Sequence, residues 1–450
     1  MQITVHRGLN QIGGCIAEIA TSSSRVFIDM GENLLGSQEQ LTEEQKQALL
    51  ENLFNANKRT HEAVLYTHGH SDHVGMMSYV PDSVCQYMSQ GTKDLLLMKE
   101  EVIRKGLDLE KASFQNCDGD NSFKYKEWCK KMESNQLFVD RLNACKTWKR
   151  LYAAPQFLHI GDIIVTPLFV SHSVFDAYMF LIEAAGKRIL YTGDYRNHGY
   201  FGKSLIPVLD KYAGQVDILI TEGTMLSRDG KVKSEYVVFQ QMKTAMKKFK
   251  YVWVLTSATN VERLAAICNA VKSTKQLLVV CSELMYMTLQ YFRSVQDKRI
   301  SKFFDINPYM LSPTKPSAKL IKYMTDRGFV MLVGAGHYER IKDIMQSFNP
   351  EETLLIYSAW DGYYKLSKQI EQNSGYSQVR SLFTNIVDIH TSGHADRHTI
   401  ENVIKKVCPR EAIIGIHKEA NSTLCSLNLP EELKNKIIPD KLQLDYISVK

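Results

Sequence analysis

The 450-residue chain contains no apolar run long enough to span a bilayer, which argues against a membrane protein. It opens directly on a strand pattern, Met1-Gln2-Ile3-Thr4-Val5-His6, without the layout of a secretory leader. Nine cysteines are present, an odd number, and none belongs to a C-x-x-C pair. They read as reduced, mostly buried thiols of a cytoplasmic protein rather than as a disulfide framework. Cys117, Cys129 and Cys145 are spaced too widely for a zinc knuckle. Internal repeats and low-complexity linkers are also missing. The formal charge of +6 is compatible with a polyanionic ligand but too small to identify one. Apolar content of 44% with 23% charged residues is ordinary for a globular chain. A length of 450 residues exceeds one simple core and implies two domains, or one domain carrying a large insertion.

What the chain does have is Thr67-His68-Gly69-His70-Ser71-Asp72-His73-Val74-Gly75, directly after the apolar run Ala63-Val64-Leu65-Tyr66. The apolar run reads as a buried strand. His68 and His70 are two apart, so in an extended chain they point to one side. Asp72 and His73 follow where the chain must turn, and can aim at a second point. This is not the i, i+4 spacing of a helical H-E-x-x-H zinc site. It suits a loop at a strand end that offers imidazole and carboxylate to two neighbouring metals. A merely solvated polar loop does not need so many ligands in so few positions.

The strand-end pattern recurs. Residues 2–5, 15–20 and 25–29 read as strands, with Asp29-Met30-Gly31 closing the third. Asp29 is either a turn former or a partner that orients the histidine loop. Residues 41–57 read as a helix, as do 74–80 up to Pro81. Further on, residues 163–170 lead to His172, 188–191 to Asp194, 217–220 to Glu222, 386–389 to His390-Thr391-Ser392-Gly393-His394-Ala395-Asp396, and 412–416 to His417. Several strands that deliver ligands at one end are what an α/β site requires. Residues 252–255, 276–280, 329–333 and 353–357 alternate with helical stretches, including 260–271 and 338–346, as in a parallel sheet with crossover helices. That stretch reads as an α/β domain inserted into the first.

Other features carry less. Residues 91–157 are charged and mostly helical, with Lys124, Lys126, Lys130, Lys131, Lys146, Lys149 and Arg150 set among Tyr125, Trp128 and Trp148. Such interleaving can make a nucleic-acid surface, but the mixed acidic residues favour a solvated helical lid. Gly334-Ala335-Gly336-His337 reads as a turn before a helix. Thr256-Ser257-Ala258-Thr259-Asn260 fits a phosphate at a helix N-terminus about as well as simple capping.

These motifs together resemble the metallo-β-lactamase superfamily, and specifically its β-CASP branch of nucleic-acid-processing enzymes, with ribonuclease J-like members. The resemblance rests on residues 27–31, 67–75, 171–173, 192–196, 221–224, 390–396 and 416–419, and leaves out only 91–157. It implies a four-layer αββα sandwich with an inserted α/β β-CASP domain. Residues 1–208 would form the first part, with a helical insertion at about 91–157. Residues 209–384 would form the inserted domain and 385–450 the return segment. His68, His70 and His172 would hold one Zn2+, and Asp72, His73 and His417 a second, with Asp194 bridging. Mn2+ is also accepted by such a ligand set. Glu222 resembles the family's acidic motif at the domain junction. His394 resembles its phosphate-contacting histidine and general acid, with Ser392 and Gly393 beside it on the substrate phosphate. Asp72, Asp194, Glu222 and His394 are thus the expected catalytic residues, and Asp29 the one that orients.

His417 is similar to RNA-directed members, because DNA-directed relatives typically carry an apolar residue there. Lys418 departs from the pattern, standing where many relatives have Gly. The C-terminal domain associated with ribonuclease J oligomers is not expected here, which leaves a homodimer as a compatible state. The implied activity is hydrolysis of phosphodiester bonds in single-stranded RNA through a dinuclear metal-activated hydroxide. Two alternatives share the motifs: a small-molecule ester or lactone hydrolase on the same metal core, and a non-catalytic nucleic-acid-binding protein that retains the fold.

Overall fold

The computed structural model describes residues 1–34, 40–114, 121–148, 156–228, 232–295, 297–311, 316–369, 374–439 and 447–448. The chain divides into two units. One comprises Met1–Asn197, Phe201–Lys231 and Gly393–Lys450, and the other His198–Tyr200 and Val232–Ser392. Glu222 therefore lies in the first unit, together with the strand Ile218–Glu222 that carries it. Among the described residues no helix is long and apolar enough to cross a membrane.

The first unit is built on two sheets. One runs in the order Ile447–Ser448, Gln2–Arg7, Ile16–Ala20, Ser24–Ile28, His61–Leu65, Cys85–Ser89, Lys146–Trp148. The other runs Ala412–Ile416, Ile218–Glu222, Lys187–Tyr191, Ala177–Ala184, Ile163–Val170, Leu158–Ile160. Period-two alternation fixes how they stack. Ile3, Val5, Ile19, Val26, Ile28 and Leu65 of the first sheet share one core with Val165, Phe180, Ile182, Ile189, Ile220 and Ile414 of the second. Burying each such side chain is worth about 1.5–3 kcal/mol. A one-residue slip would turn a whole set outward and is excluded on that ground.

The opposite faces are covered by helices. Phe27, Val64 and Tyr66 pack with Leu50 and Phe54 of Glu43–Asn55 and with Leu96 and Leu142 of the two long helices Gln90–Phe114 and Asn121–Ala144. Met179, Leu190 and Leu219 pack with Ile400, Val403 and Ile404 of Arg397–Val407. The layers are helix, sheet, sheet, helix, an α/β sandwich. Thr42 caps Glu43–Asn55 in a reciprocal box with Gln45. Asp396 caps Arg397–Val407 by accepting from Thr399 N at 2.8 Å.

Strand direction collects the site. Ser24–Ile28 and His61–Leu65 are parallel, so Asp29 and the histidine loop emerge at the same end. Lys187–Tyr191, Ile218–Glu222 and Ala412–Ile416 are also mutually parallel. Ile163–Val170 reaches Lys187–Tyr191 through two antiparallel pairings, which restore its direction. Sequence pattern assigns no element to Ala177–Ala184, the strand between them. Its run AYMFLIEA is buried on both faces and lacks alternation, so periodicity does not separate strand from helix there.

The second unit holds an all-parallel sheet ordered Tyr309–Met310, Leu277–Val280, Phe329–Val333, Tyr251–Leu255, Thr353–Tyr357, Ile386–Asp388. Its central strands, YVWVL and FVMLV, are buried throughout, as sheets covered on both faces require. Ile386–Asp388 pairs with Leu355–Tyr357 as the edge strand of this sheet. It is thus part of the second unit and not of the returning segment, to which sequence order alone assigned it. Within this unit Arg263 and Glu235 are fully buried and joined by two hydrogen bonds of 3.0 Å.

The helical stretch also differs from expectation. Trp148 is 1% exposed, and Trp128 is buried with its indole N–H donating to Leu107 O at 2.9 Å. Two of the three aromatics in this stretch are therefore buried, neither on a nucleic-acid face nor on the solvated side of a lid. Lys149 and Arg150 lie outside the described residues. The helix expected over 74–80 is two short turns, Ser71–Val74 and Met77–Tyr79, the first starting inside the ligand loop.

Candidate metal centre

The histidine loop is pinned before any ligand is considered. Met30 N donates to His73 O at 2.7 Å, and Gly31 N donates to Cys15 O at 3.1 Å. A Cβ on Gly31 would lie 1.7 Å from Asp72 O, so only glycine lets the two segments meet. Asp29 sits in the left-handed region at φ 62°, tolerable for an aspartate. Its carboxylate accepts from Thr67 N at 2.8 Å, from Thr67 Oγ1 at 2.9 Å and from His73 Nδ1 at 2.8 Å. Burial pushes the Asp29 carboxyl up, only partly offset by His73 and Thr67.

Acceptor logic then sets the ring tautomers. Thr67 Oγ1 gives its one proton to Asp29, so the His68 Nδ1–H 3.0 Å away must donate to it. His172 Nδ1 donates to Gly393 O at 2.8 Å. Thr224 Oγ1 donates to His417 O at 3.1 Å, so His417 Nδ1 is the donor in their 2.7 Å contact. His68, His73, His172 and His417 are each oriented through Nδ1, and their Nε2 atoms face inward. That is how metal-bound imidazoles are usually held.

The inward atoms converge on Asp194. Its Oδ2 lies 3.7 Å from His68 Nε2, 3.8 Å from His172 Nε2, 3.3 Å from His73 Nε2 and 3.8 Å from His417 Nε2. His70 presents Nδ1 at 3.0 Å from His68 Nε2 and 3.1 Å from His172 Nε2. Asp72 Oδ2 is 3.2 Å from His417 Nε2 and 3.8 Å from His73 Nε2. His68, His70, His172 and Asp194 form one group whose donor atoms all lie within 4.8 Å of one another. Both oxygens of Asp194 and Nε2 of His73 are buried without a hydrogen-bond partner. Buried polar atoms left in this state cost about 1–3 kcal/mol each, more when charged. A carboxylate with bare oxygens amid inward imidazole nitrogens fits cation binding, and it fits no packing role.

The electrostatics agree. Burial, helped by neighbouring imidazoles, holds His68 and His172 well below the ordinary histidine value, and burial takes His70 down to about 4. These three rings are neutral near pH 7, as metal ligands must be. Burial opposes ionisation of Asp194, but His417, His73 and His394 outweigh it and hold the carboxyl well below its usual range. Asp72 is lowered in the same way, against burial, chiefly by His73 and His417. For His73, burial pulls downward, but Asp194, Asp29 and Asp72 win and raise it.

Glu222 and His394 adjoin this centre. Glu222 Oε2 is 3.0 Å from His394 Nδ1, while Oε1 accepts from Tyr195 N at 3.1 Å and from Ala395 N at 3.3 Å. His394 Nδ1 is also 3.6 Å from Asp194 Oδ2. Burial would lower His394, but Glu222 and Asp194 hold it up at about 9. The structure thus brings together His68, His70, Asp72, His73, His172, Asp194, Glu222, Gly393, His394 and His417, with Asp29 behind them. Ser392 belongs to the other unit, where its carbonyl accepts from His198 Nε2 at 2.8 Å. Lys418, the departure from the family pattern, is fully buried and donates to Asn10 Oδ1 at 3.0 Å.

Sequence pattern does not single out Cys15. Cys15 Sγ, with nitrogens of His73 and His417, forms a second group within 4.8 Å. Burial raises this thiol well above its ordinary value, as do the carboxylates of Asp194, Asp29 and Asp72. A single cysteine after Gly13-Gly14 carries no metal spacing, so sequence pattern treats it as core.

Against known proteins, no family model matches the chain. It is similar along nearly its whole length to ribonuclease J. The Helicobacter pylori protein is 21% identical over 461 residues, covering 96% of this chain and 59% of the relative. Ribonuclease J of Mycoplasma genitalium is 20% identical over 453 residues, covering 94% of this chain and 69% of the relative. The chain thus spans about 59% of the length of the Helicobacter pylori relative. The fold is shared with a crystal structure of a protein of unknown function from Enterococcus faecalis V583. The TM-score is 0.67 at 19% identity, over 96% of this chain and 98% of that one.

Proposed function

We propose that this chain is a metal-dependent hydrolase of the β-CASP type that cleaves phosphodiester bonds in single-stranded RNA. The observation that carries the reading is Asp194. Its buried and unpaired carboxylate lies within 3.8 Å of four inward Nε2 atoms, in a chain similar throughout to ribonuclease J. In this reading His68, His70 and His172 would hold one ion and Asp72, His73 and His417 the other, with Asp194 within reach of both groups. The donor set of imidazole and carboxylate fits Zn2+, and also accepts Mn2+. A bound pair of such ions would supply an activated water near neutral pH and positive charge to offset the phosphate.

The chain's own residues do the rest. Asp29 fixes the His73 ring, Gly393 O fixes His172, and Thr224 fixes His417, so the donors need no reorganisation. Glu222 holds His394 by Nδ1 at 3.0 Å and takes two backbone N–H bonds besides, which makes its own position rigid. His394 is the proton donor to the leaving oxygen, a role suited to an imidazole at a site's edge, with its side chain 21% exposed. Gly393 is the proposed neighbour of the substrate phosphate in the first unit. His417 in place of an apolar residue supports RNA over DNA.

The test is cleavage of an end-labelled single-stranded RNA by zinc-loaded protein, with matched DNA and a His394→Ala variant in parallel. Cut RNA, spared DNA and a loss of about 10²–10⁴-fold in the variant are expected. Protein that contains two zinc ions yet cuts neither polymer would overturn the reading.

A further inference from the structure

Cys15 stands near the centre, and neither the resemblance nor the expected ligand sets account for it. It stands immediately before the strand Ile16–Ala20 and is 1% exposed. A buried cysteine is ordinarily a small apolar residue. The surroundings of this one are different. Its Sγ and one nitrogen each of His73 and His417 lie within 4.8 Å of one another. His73 Nε2 is buried and has no hydrogen-bond partner.

The backbone holds these groups in register. Cys15 N donates to Asp72 O at 3.2 Å, and His417 N donates to Gly8 O at 2.6 Å. Gly8, at φ 90°, is where the thiol finds room, because a Cβ there would lie 2.9 Å from Cys15 Sγ. The position of the sulfur is therefore tied to the same two segments that carry Asp72 and His417. With zinc–sulfur bonds of about 2.3 Å and zinc–nitrogen bonds of about 2.0–2.1 Å, a sulfur and a nitrogen on one ion stand no more than roughly 4.4 Å apart. The three atoms lie within 4.8 Å of one another, so a shared ion would draw the sulfur toward the two nitrogens.

We propose that Cys15 is a further protein donor to the metal held by His73, His417 and Asp72, so that this position carries a sulfur ligand and favours soft or borderline divalent ions over Mn2+. The inference rests on the metal-centre reading and deepens it. Thiolate binding would release the thiol proton to solvent and add one negative charge to the ligand set. Thiolate selects Zn2+ and Co2+, whereas an all-oxygen and imidazole position tolerates Mn2+.

The experiment uses the whole chain loaded with Co2+. Metal content is measured alongside near-ultraviolet and visible absorption, for the wild type and for Cys15→Ser. The wild type is expected to bind two Co2+ and to show a sulfur-to-cobalt charge-transfer band. The variant should lose that band, keep its d–d bands, and bind the weaker equivalent about tenfold or more less tightly. Two bound Co2+ without the band, or a band that survives in Cys15→Ser, would overturn the role of Cys15 and leave the metal centre standing. No bound Co2+ would overturn both. Should Cys15→Ser fail to fold, zinc X-ray absorption on the wild type decides. A sulfur shell at about 2.3 Å is expected, and its absence overturns the proposal.

Discussion

Asp29→Asn isolates the carboxylate that holds the histidine loop. The substitution conserves shape, and asparagine tolerates the left-handed φ of 62° at this position, so the backbone is not strained. What changes is hydrogen-bonding capacity. Asp29 now accepts from Thr67 N and from His73 Nδ1, each at 2.8 Å, through different oxygens. An amide has one oxygen, so either Thr67 N or His73 Nδ1 would face an NH₂ donor. A buried donor left unsatisfied costs about 1–3 kcal/mol. If His73 loses its tether, that cost falls on metal binding, where 1.4 kcal/mol is about tenfold. A weakening of metal affinity by about 10–100-fold is expected, in line with other residues that orient ligands. Competition against a chromophoric chelator measures it, with thermal unfolding of the metal-free protein as the control for folding. Affinity within about twofold of wild type in a folded variant would refute the idea that Asp29 positions His73.

Further perturbations reach other parts of the molecule. Glu235→Ala leaves Arg263 buried beside only Ser358, His390 and the Thr391 carbonyl, and should cost about 3–5 kcal/mol. That corresponds to a fall of roughly 6–20 °C in the unfolding midpoint of a unit this size, followed by near-ultraviolet dichroism. Asp194→Asn removes the shared carboxylate, and mass spectrometry under native conditions should find fewer than two metals on the folded chain. Asp217 is a pH prediction away from the centre. Burial opposes its ionisation, but Arg188 N and Arg410 win and lower its pKa. A depressed carboxylate stabilises above its unfolded value and loses that contribution as pH falls through the folded one. Asp217→Asn should therefore flatten the loss of stability between neutral pH and about pH 3, seen as a smaller change in urea midpoint.

The candidate site is legible in outline because its candidate ligands sit at strand ends, and strand ends show as breaks in apolar pattern. Four donors in the six residues from His68 to His73 need no tertiary information to be noticed. The residues brought to one end by parallel pairing, Asp194, Glu222 and His417, were visible only as a recurrence. Cys15 was invisible, because its meaning comes from Gly8, Asp72 and His417 meeting it in space. The sheets were less legible than the site. Ala177–Ala184 has no alternation to read, and the sheet that Ile386–Asp388 joins is decided by pairing with Leu355–Tyr357, not by its order in the chain. Residues 91–157 read mainly as a solvated helical lid, yet Trp128 and Trp148 within them are buried. Asp396, read as part of the His394 motif, caps the helix that follows.

The most direct test of the central claim is metal reconstitution coupled to RNA cleavage. Protein stripped by a chelator would be titrated with Zn2+ or Mn2+ while cleavage of a labelled single-stranded RNA is followed. The account expects no cleavage by the stripped protein and full activity at two ions per chain. Cleavage that survives complete removal of metal would contradict it.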